Sequence, residues 1–135
     1  MEKLDLYNDL SLLPLLADWV EKLSGEMGLP APRAFNLHLA LEEAVVNVMK
    51  YAYPGESGKP VRLSAEMNGE GCDFLIEDEG IGFDPTAEAA PDVTLGVEER
   101  PIGGLGIFLV KNIMDEVRYE RESGKNRLYL KFKKQ

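Results

Sequence analysis

The pattern of hydrophobic and polar positions in the first fifty residues predicts a short strand followed by two helices. Leucines alternate with polar residues in KLDLYN, which is typical of a strand with one buried face. Apolar residues then recur at three- and four-residue spacing in a first helix that we expect to begin at Asp9 or Ser11 and to end by Gly28. A second helix is predicted over about 32–52, where a Tyr-Pro-Gly sequence stops it.

The rest of the chain predicts two β-hairpins separated by an irregular segment and a third helix. Alternating residues in VRLSAEM and CDFLIED flank one turn, and VRYERE and RLYLKFKK flank another. Residues 79–102 are rich in Gly, Pro and Asp, and compact domains seldom carry so long a structureless segment unless it forms a lid or binding loop. The third helix is predicted over GLGIFLVKNIMDEV.

This order of elements predicts an α+β fold. Strands joined as hairpins form a mixed, mostly antiparallel sheet, and three amphipathic helices would cover one of its faces in a two-layer sandwich. The length of 135 residues fits a single domain spanning 1–135, with residues 79–102 as its lid loop.

The second helix carries polar residues on a face of their own. On a helical wheel, Glu43, Asn47 and Lys50 form a strip roughly 120° from the apolar sector, whereas Glu42 falls nearer the side opposite the core. The apolar sector contains Leu37, Leu41, Ala44, Val45, Val48 and Ala52. The strip is either a solvated helix surface or, because Ala40, Val46 and Tyr51 border it, the wall of a pocket.

Two glycine motifs add candidate chemistry. Asp78, Gly80 and Gly82 follow a predicted strand, where a buried carboxylate could accept a hydrogen bond from an exocyclic amine. The alternative is an ordinary acidic turn. Gly104 and Gly106, after Gly103, open the third helix, whose free N–H groups suit an anion, although a tight loop–helix junction would need the same glycines. Neither a Walker nor a Rossmann glycine pattern is present.

The net charge and the amino-acid composition argue against some classes of binding partner and indicate a cellular compartment. A net charge of −9 argues against a nucleic-acid backbone or an anionic membrane as the main partner. No apolar run approaches the roughly 20 residues of a membrane helix, and the N-terminal residues lack the pattern of a signal peptide. The single cysteine, Cys72, suits a reducing compartment, so we expect a cytoplasmic protein in which Cys72 is a core residue.

The sequence contains, in this order, a Glu-x-x-x-Asn helix, a strand ending in D-x-G-x-G, a long loop and a G-x-G helix start. This order of motifs resembles the GHKL ATPase superfamily, or Bergerat fold. Within it, the chain looks most like the bacterial anti-sigma factor serine kinases. The resemblance implies ATP and Mg²⁺ as cofactors. It implies that Glu43 is the general base, that Asn47 is a metal ligand, and that Asp78 binds the adenine amino group in a pocket shaped by Gly80 and Gly82.

The resemblance also implies contacts to the phosphates. Gly104, Leu105 and Gly106 would form the turn over them, Lys50 could contact them, and Arg100 could touch the terminal one. Histidine kinases usually carry Asn at the position of Glu43 and need a separate phosphoacceptor histidine. The only histidine here, His38, is interpreted as a satisfied structural residue, so the resemblance favours the serine kinases.

The implied activity is transfer of phosphate from ATP to a serine of a STAS-type anti-sigma factor antagonist. The implied partners are that antagonist, a sigma factor and a second copy of the chain in a homodimer. Two alternatives are an ATP-dependent binding module that regulates a different partner by contact, and a simple ATP hydrolase.

Overall fold

The computed structural model describes residues 1–82, 84–87 and 104–135. Its helices are α1 (Leu13–Met27), α2 (Ala31–Tyr51) and α3 (Gly104–Ile113). Its strands are β1 (Glu2–Tyr7), β2 (Pro60–Met67), β3 (Gly71–Asp78), β4 (Glu116–Glu122) and β5 (Lys125–Lys133). Short 3-10 turns cover Leu10–Leu12 and Pro85–Ala87.

The five strands form one sheet in the order β1-β2-β3-β5-β4, and each of the four pairings is antiparallel. The predicted α+β sandwich with a largely antiparallel sheet is therefore confirmed, and no parallel pair occurs among the described strands. The register places Asp78, the last residue of β3, directly opposite Asn126 of β5. This pairing brings a polar residue from the second hairpin to the D-x-G-x-G motif.

The core lies between one face of the sheet and the three helices. Every second strand residue faces the helices, as the alternation predicts, and Trp19 of α1 packs edge-on against Phe74 of β3 with ring centroids 6.1 Å apart. Burying one large apolar side chain contributes about 1.5–3 kcal/mol, so this layer supplies most of the stabilisation. Of the core positions predicted for α2, Leu37, Leu41, Ala44 and Val45 are buried, as is Ala52 just after its end, whereas Val48 is half-buried.

The opposite face of the sheet is charged and exposed to solvent. Glu77 lies at its centre and pairs with Arg127 of the neighbouring strand at 2.9 Å, while Arg118 stacks on the Tyr129 ring at 4.1 Å. Cross-strand ion pairs make this face largely polar, although Leu75 and Tyr129 also lie on it. The helices accordingly pack on the other face alone, as predicted.

Two predicted helix ends differ from the structure. Helix α1 begins at Leu13, because the Asp9 carboxylate instead caps the short 3-10 turn by accepting the Ser11 N–H at 2.9 Å. Its end is at the predicted place, where Gly28 adopts a left-handed φ of 69°. Helix α3 ends at Ile113, before the predicted Val117, because Val117 pairs with Leu130 in the sheet. Of the described helices, none combines the length and apolarity that crossing a bilayer requires.

Candidate active site

The polar strip of α2 lies beside the core and is less exposed than its helical wheel predicts. Asn47 is 7% exposed, and its Oδ1 atom accepts no hydrogen bond within the described part of the chain. Glu43 is half-buried and Lys50 is exposed. Glu42 is also half-buried, so it does not stand fully on the solvent side. The strip therefore runs from solvent at Lys50 into the protein at Asn47.

A cleft of about 150 Å³ opens along this strip. It is lined by Glu43, Val46, Asn47, Lys50, Tyr51 and Gly106. Two of the apolar residues predicted to border a pocket, Val46 and Tyr51, lie in this lining, whereas Ala40 is fully buried in the core. The strip is thus a pocket wall, which was one of the two interpretations of its sequence.

The first turn of α3 forms the other wall of the cleft. A Cβ atom added to Gly106 would lie only 2.8 Å from Glu43 Oε2, so a larger residue here would make the Glu43 side chain move. Gly104 is the first residue of α3. The free N–H groups and the positive end of the helix dipole are therefore at the cleft, where an anion would be stabilised.

Asp78 lies beyond Asn47, in a second cavity between α2 and the sheet. It is 4% exposed, and this burial raises the pKa of its carboxyl group, although hydrogen bonds from Asn126 and Gly80 act in the opposite direction. Asp78 Oδ1 accepts the Gly80 N–H at 2.8 Å and Asn126 Nδ2 at 2.9 Å. Asp78 Oδ2 accepts nothing from the described residues and is left for a ligand.

The cavity at Asp78 and the cleft at Glu43 have Asn47 in common. At about 30 Å³ the cavity is too small for a purine ring, so binding a base would require its walls to move. It is lined by Ala44, Asn47, Val48, Ala52, Ile76, Asp78, Pro85, Tyr119, Asn126 and Leu128. The two spaces together form one elongated site, with a carboxylate at one end, a buried amide in the middle and a helix N-terminus at the other.

The two glycines of the D-x-G-x-G motif shape this site through packing. A Cβ on Gly80 would lie 2.2 Å from the backbone oxygen of Ala52, and the Ile81 N–H donates to that same oxygen at 2.9 Å. A Cβ on Gly82 would lie 3.2 Å from Arg121 Cδ. Gly80 thus lets the loop after β3 dock on the end of α2, and Gly82 leaves room for the arginine.

Four residues at the Asp78 end were not identified from the sequence: Tyr53, Tyr119, Arg121 and Asn126. The Tyr53 hydroxyl donates to the Pro60 carbonyl at 2.6 Å and accepts the Glu79 N–H at 2.7 Å, and burial raises the pKa of this phenol. Asn126 was interpreted as a turn residue. Strand alternation with Leu128, Leu130 and Phe132 is the signal that could have placed it on the buried face.

Several predicted residues lie outside the described part of the chain or outside the site. Arg100 is not among the described residues, nor is most of the predicted lid at 79–102, and Gly104 and Leu105 are described only as helical backbone. His38 is not among the residues that line the two spaces, and the prediction that its ring is satisfied is not confirmed, because its buried Nε2 has no partner in the described residues. Cys72 is a core residue as predicted, and burial raises its pKa to about 12.

The protein groups at the site could bind a hard cation such as Mg²⁺ only together with a ligand that supplies further oxygen atoms. Among the described residues, no group of three or more His, Cys, Asp or Glu side chains could hold a metal ion. The orphaned Asn47 Oδ1 is a single oxygen donor, and magnesium is commonly bound by one or two protein oxygens together with phosphates and water. The residues therefore fit a magnesium ion that arrives with a phosphate ligand.

Comparisons with known proteins identify the family of the chain. Residues 6–132 match the model of the histidine kinase-like ATPase domain family. The chain is 26% identical over 112 residues to the serine/threonine-protein kinase BtrW of Bordetella bronchiseptica, covering 83% of this chain and 79% of that protein. It is 31% identical over 93 residues to the serine-protein kinase RsbW of Listeria monocytogenes, covering 66% of this chain but only 59% of that relative.

Solved structures share the fold. The RsbU and RsbW domains of a Mycobacterium tuberculosis protein superpose with a TM-score of 0.66 at 14% identity, covering 98% of this chain and 32% of that one. A histidine kinase domain from Erythrobacter litoralis superposes with a TM-score of 0.60 at 14% identity, covering 92% of this chain and 60% of that one. At these identities the likeness concerns the fold alone.

Proposed function

The chain belongs to the histidine kinase-like ATPase domain family, and on this premise we propose that it is an ATP-dependent protein serine kinase that acts as an anti-sigma factor. Its curated relatives bear the names of serine-protein kinases. The proposal assigns the elongated site along α2 to Mg-ATP. Adenine would bind at Asp78, and the phosphates would lie in the cleft beside Glu43.

The observation that carries the proposal is the buried Asn47 Oδ1 atom, which has no partner in the described residues. A buried oxygen without a hydrogen bond costs about 1–3 kcal/mol, so its retention at the junction of the two spaces favours a ligand role. Asn47 would hold Mg²⁺ together with the phosphates. When bound, the ion supplies positive charge that offsets the charge of the phosphate oxygens.

The two ends of the site would orient the nucleotide. Asp78 Oδ2 would accept a hydrogen bond from the adenine amino group. The N-terminus of α3, with Gly104, Leu105 and Gly106, would donate backbone N–H groups to the phosphates, and Lys50 at the open end of the cleft would pair with them. Arg100 stays a candidate for the terminal phosphate.

Glu43 would carry out the proton transfer. It lies one helical turn from Asn47 and against the first turn of α3, and this position supports a role beside the proposed phosphate site. Its carboxylate would accept the proton of an incoming serine hydroxyl while the serine oxygen bonds to the γ-phosphorus and ADP leaves. The positive end of the α3 dipole would stabilise charge on the transferred group.

The proposed partners follow from the family. The acceptor serine would belong to a STAS-type anti-sigma factor antagonist, and the protein would bind a sigma factor when not engaged with the antagonist. We expect it to act as a cytoplasmic homodimer. The alternatives are an ATP-dependent binding module and a simple ATP hydrolase, and Glu43 favours the two catalytic options over the binding module.

One assay separates the three functions. The protein is incubated with γ-labelled ATP, Mg²⁺ and the STAS-domain protein encoded nearest to its gene, and label is measured on the partner and in free phosphate. A kinase transfers label to a serine of the partner. Label that appears only as free phosphate would indicate a hydrolase. Binding of ATP without phosphate transfer or hydrolysis would indicate an ATP-dependent binding module.

A further inference from the structure

Asn126, at the start of β5, is buried, and every hydrogen-bonding group of its side chain has a partner. It is 6% exposed, and its Nδ2 donates to Asp78 Oδ1 at 2.9 Å and to the Ile81 carbonyl at 2.7 Å. Its Oδ1 accepts the Tyr119 hydroxyl and Arg121 NH1, the latter at 2.9 Å. Four hydrogen bonds saturate the carboxamide, so its orientation is fixed.

Arg121 of β4 extends this arrangement to the loop after β3. The NH1 atom that donates to Asn126 also donates to the Gly80 carbonyl at 3.1 Å. The arginine stem passes Gly82, where an added Cβ would lie 3.2 Å from Arg121 Cδ. Asn126 and Arg121 thus join β5, β4 and the D-x-G-x-G loop, and we call this pair the Asn126–Arg121 clamp.

The clamp holds one oxygen of Asp78 by hydrogen bonding. A carboxylate turns easily about its last torsion, since the two ends of that rotation are nearly equivalent. Here Oδ1 is held by two donors, the Gly80 N–H and Asn126 Nδ2. Both donors depend on contacts of the clamp, one through the Gly80 carbonyl and the other directly. Of the two oxygens, Oδ2 is the one that accepts no hydrogen bond from the part of the chain that the structure describes, so it could accept one from a ligand.

We propose that Asn126 and Arg121 are positioning residues for base recognition, which act by holding Asp78 so that its Oδ2 accepts a hydrogen bond from the exocyclic amino group of a purine. The proposal rests on the proposed function, because it takes the site to be a nucleotide site. It goes further by assigning the selectivity for a 6-amino purine to two residues that need not touch the nucleotide.

The test measures dissociation constants for two nucleotides, ATP and purine riboside triphosphate, which lacks only the 6-amino group. The proteins are wild type, Asn126→Ser, Arg121→Gln and the matched control Arg118→Gln. Arg118 lies on the same strand and loses the same charge, but its guanidinium stacks on Tyr129 on the other face of the sheet. Thermal unfolding of each variant reports whether the fold is kept.

The wild type should prefer ATP by about tenfold to 100-fold, the range for one hydrogen bond to a charged group. In Asn126→Ser the remaining preference for ATP should be below about threefold. In Arg121→Gln the preference should be about one third of the wild-type value. Both changes should come mainly from weaker binding of ATP. Arg118→Gln should keep the wild-type preference. A purely structural role would instead weaken both nucleotides equally, and that result would overturn the inference.

The failure of this inference is distinct from the failure of the proposed function. A wild type that binds neither nucleotide would overturn the nucleotide site and the inference with it. A wild type that binds ATP without preference, or variants that keep the preference, would overturn the inference alone. If Asn126→Ser does not fold, the exposed Arg121→Gln decides the question.

Discussion

At the scale of single residues, the site is built from polar groups whose burial works against the fold. Asn47 and Asp78 are 7% and 4% exposed. The buried Asn47 Oδ1 atom has no hydrogen-bond donor among the described residues, and burial raises the pKa of the Asp78 carboxyl group. Buried polar groups of this kind reduce stability unless a ligand satisfies them. Substitutions at these two positions should therefore separate stability from nucleotide binding.

Asn47→Leu fills a similar volume and removes the orphaned oxygen. We expect the free energy of unfolding to rise by up to about 1 kcal/mol, because the cost of the unsatisfied oxygen disappears. The same variant should lose the Mg²⁺ dependence of ATP binding. Urea unfolding and ATP titrations with and without Mg²⁺ measure the two effects. Unchanged Mg²⁺ dependence would remove Asn47 as the metal ligand.

Asp78→Asn tests the raised pKa of the buried carboxyl group. A raised pKa in the folded state means that stability is fully present below the ordinary value of 3.8 and is lost as pH rises through the folded value. The variant does not titrate, so it should be at least as stable as wild type at pH 7 and should lose this advantage in acid. Its ATP affinity should fall about tenfold to 100-fold, because an amide N–H would face the amino group.

Unfolding followed by circular dichroism between pH 3 and pH 7 checks the Asp78→Asn prediction. A variant that is clearly less stable than wild type at pH 7 would show that the ionised carboxylate stabilises the fold, and would contradict the assignment of burial as the dominant influence on its pKa.

At the scale of secondary-structure elements, two glycines bring α2 against its neighbours in different ways. The Cβ of an alanine at position 80 would meet backbone, the oxygen of Ala52 at 2.2 Å. The Cβ of an alanine at position 106 would meet the end of a side chain, Glu43 Oε2 at 2.8 Å. Backbone cannot move aside cheaply, whereas a glutamate can change its rotamer.

The two alanine variants should therefore have opposite consequences. Gly80→Ala should lower the free energy of unfolding by about 2–4 kcal/mol, because the loop can no longer dock on the end of α2. Gly106→Ala should leave stability unchanged or raise it by up to about 1 kcal/mol, since alanine favours the helix, while it slows phosphoryl transfer by displacing Glu43. Thermal melts with single-turnover rates compare them. Equal destabilisation of both would contradict the contact at Glu43.

The elements themselves were largely predictable, and their ends and the site interior were less so. Hydrophobic periodicity identified α2 and its buried face, because 3.6-residue spacing is a local property. It failed at the end of α3, where Val117 pairs with Leu130 instead of continuing the helix. The helical wheel assigned Asn47 to the polar strip of α2 but did not predict its burial. A wheel describes one helix and not the cavity between that helix and the sheet.

The Asn126–Arg121 clamp was not predicted either, because it also depends on contacts between different elements. Asn126 stands next to a Ser-Gly-Lys turn, and its burial depends on the register that sets it opposite Asp78. Register is a property of the paired strands and is not visible in either strand alone. By contrast, the order of the Glu43–Asn47, Asp78 and Gly104–Gly106 motifs sufficed to predict the family, and the match of residues 6–132 confirms it.

At the scale of the whole molecule, one small sandwich brings together the proposed adenine acceptor Asp78, the proposed metal ligand Asn47 and the proposed general base Glu43, along one helix and the strand end beside it. The sheet's outer face is covered by ion pairs and the site lies on the helical side. The central claim is that this site transfers phosphate and that Glu43 activates the acceptor. Glu42, next to it in sequence but absent from the lining of the cleft, provides a matched control.

The most direct test is the single-turnover rate of γ-phosphate transfer to a serine of the STAS-domain partner at saturating Mg-ATP, for wild type, Glu43→Gln and Glu42→Gln. Glu43→Gln should slow transfer by about 10²–10⁴-fold with ATP affinity within about twofold of wild type, as expected for loss of a general base. Glu42→Gln should transfer at about the wild-type rate. A Glu43→Gln protein that transfers as fast as wild type would contradict the account.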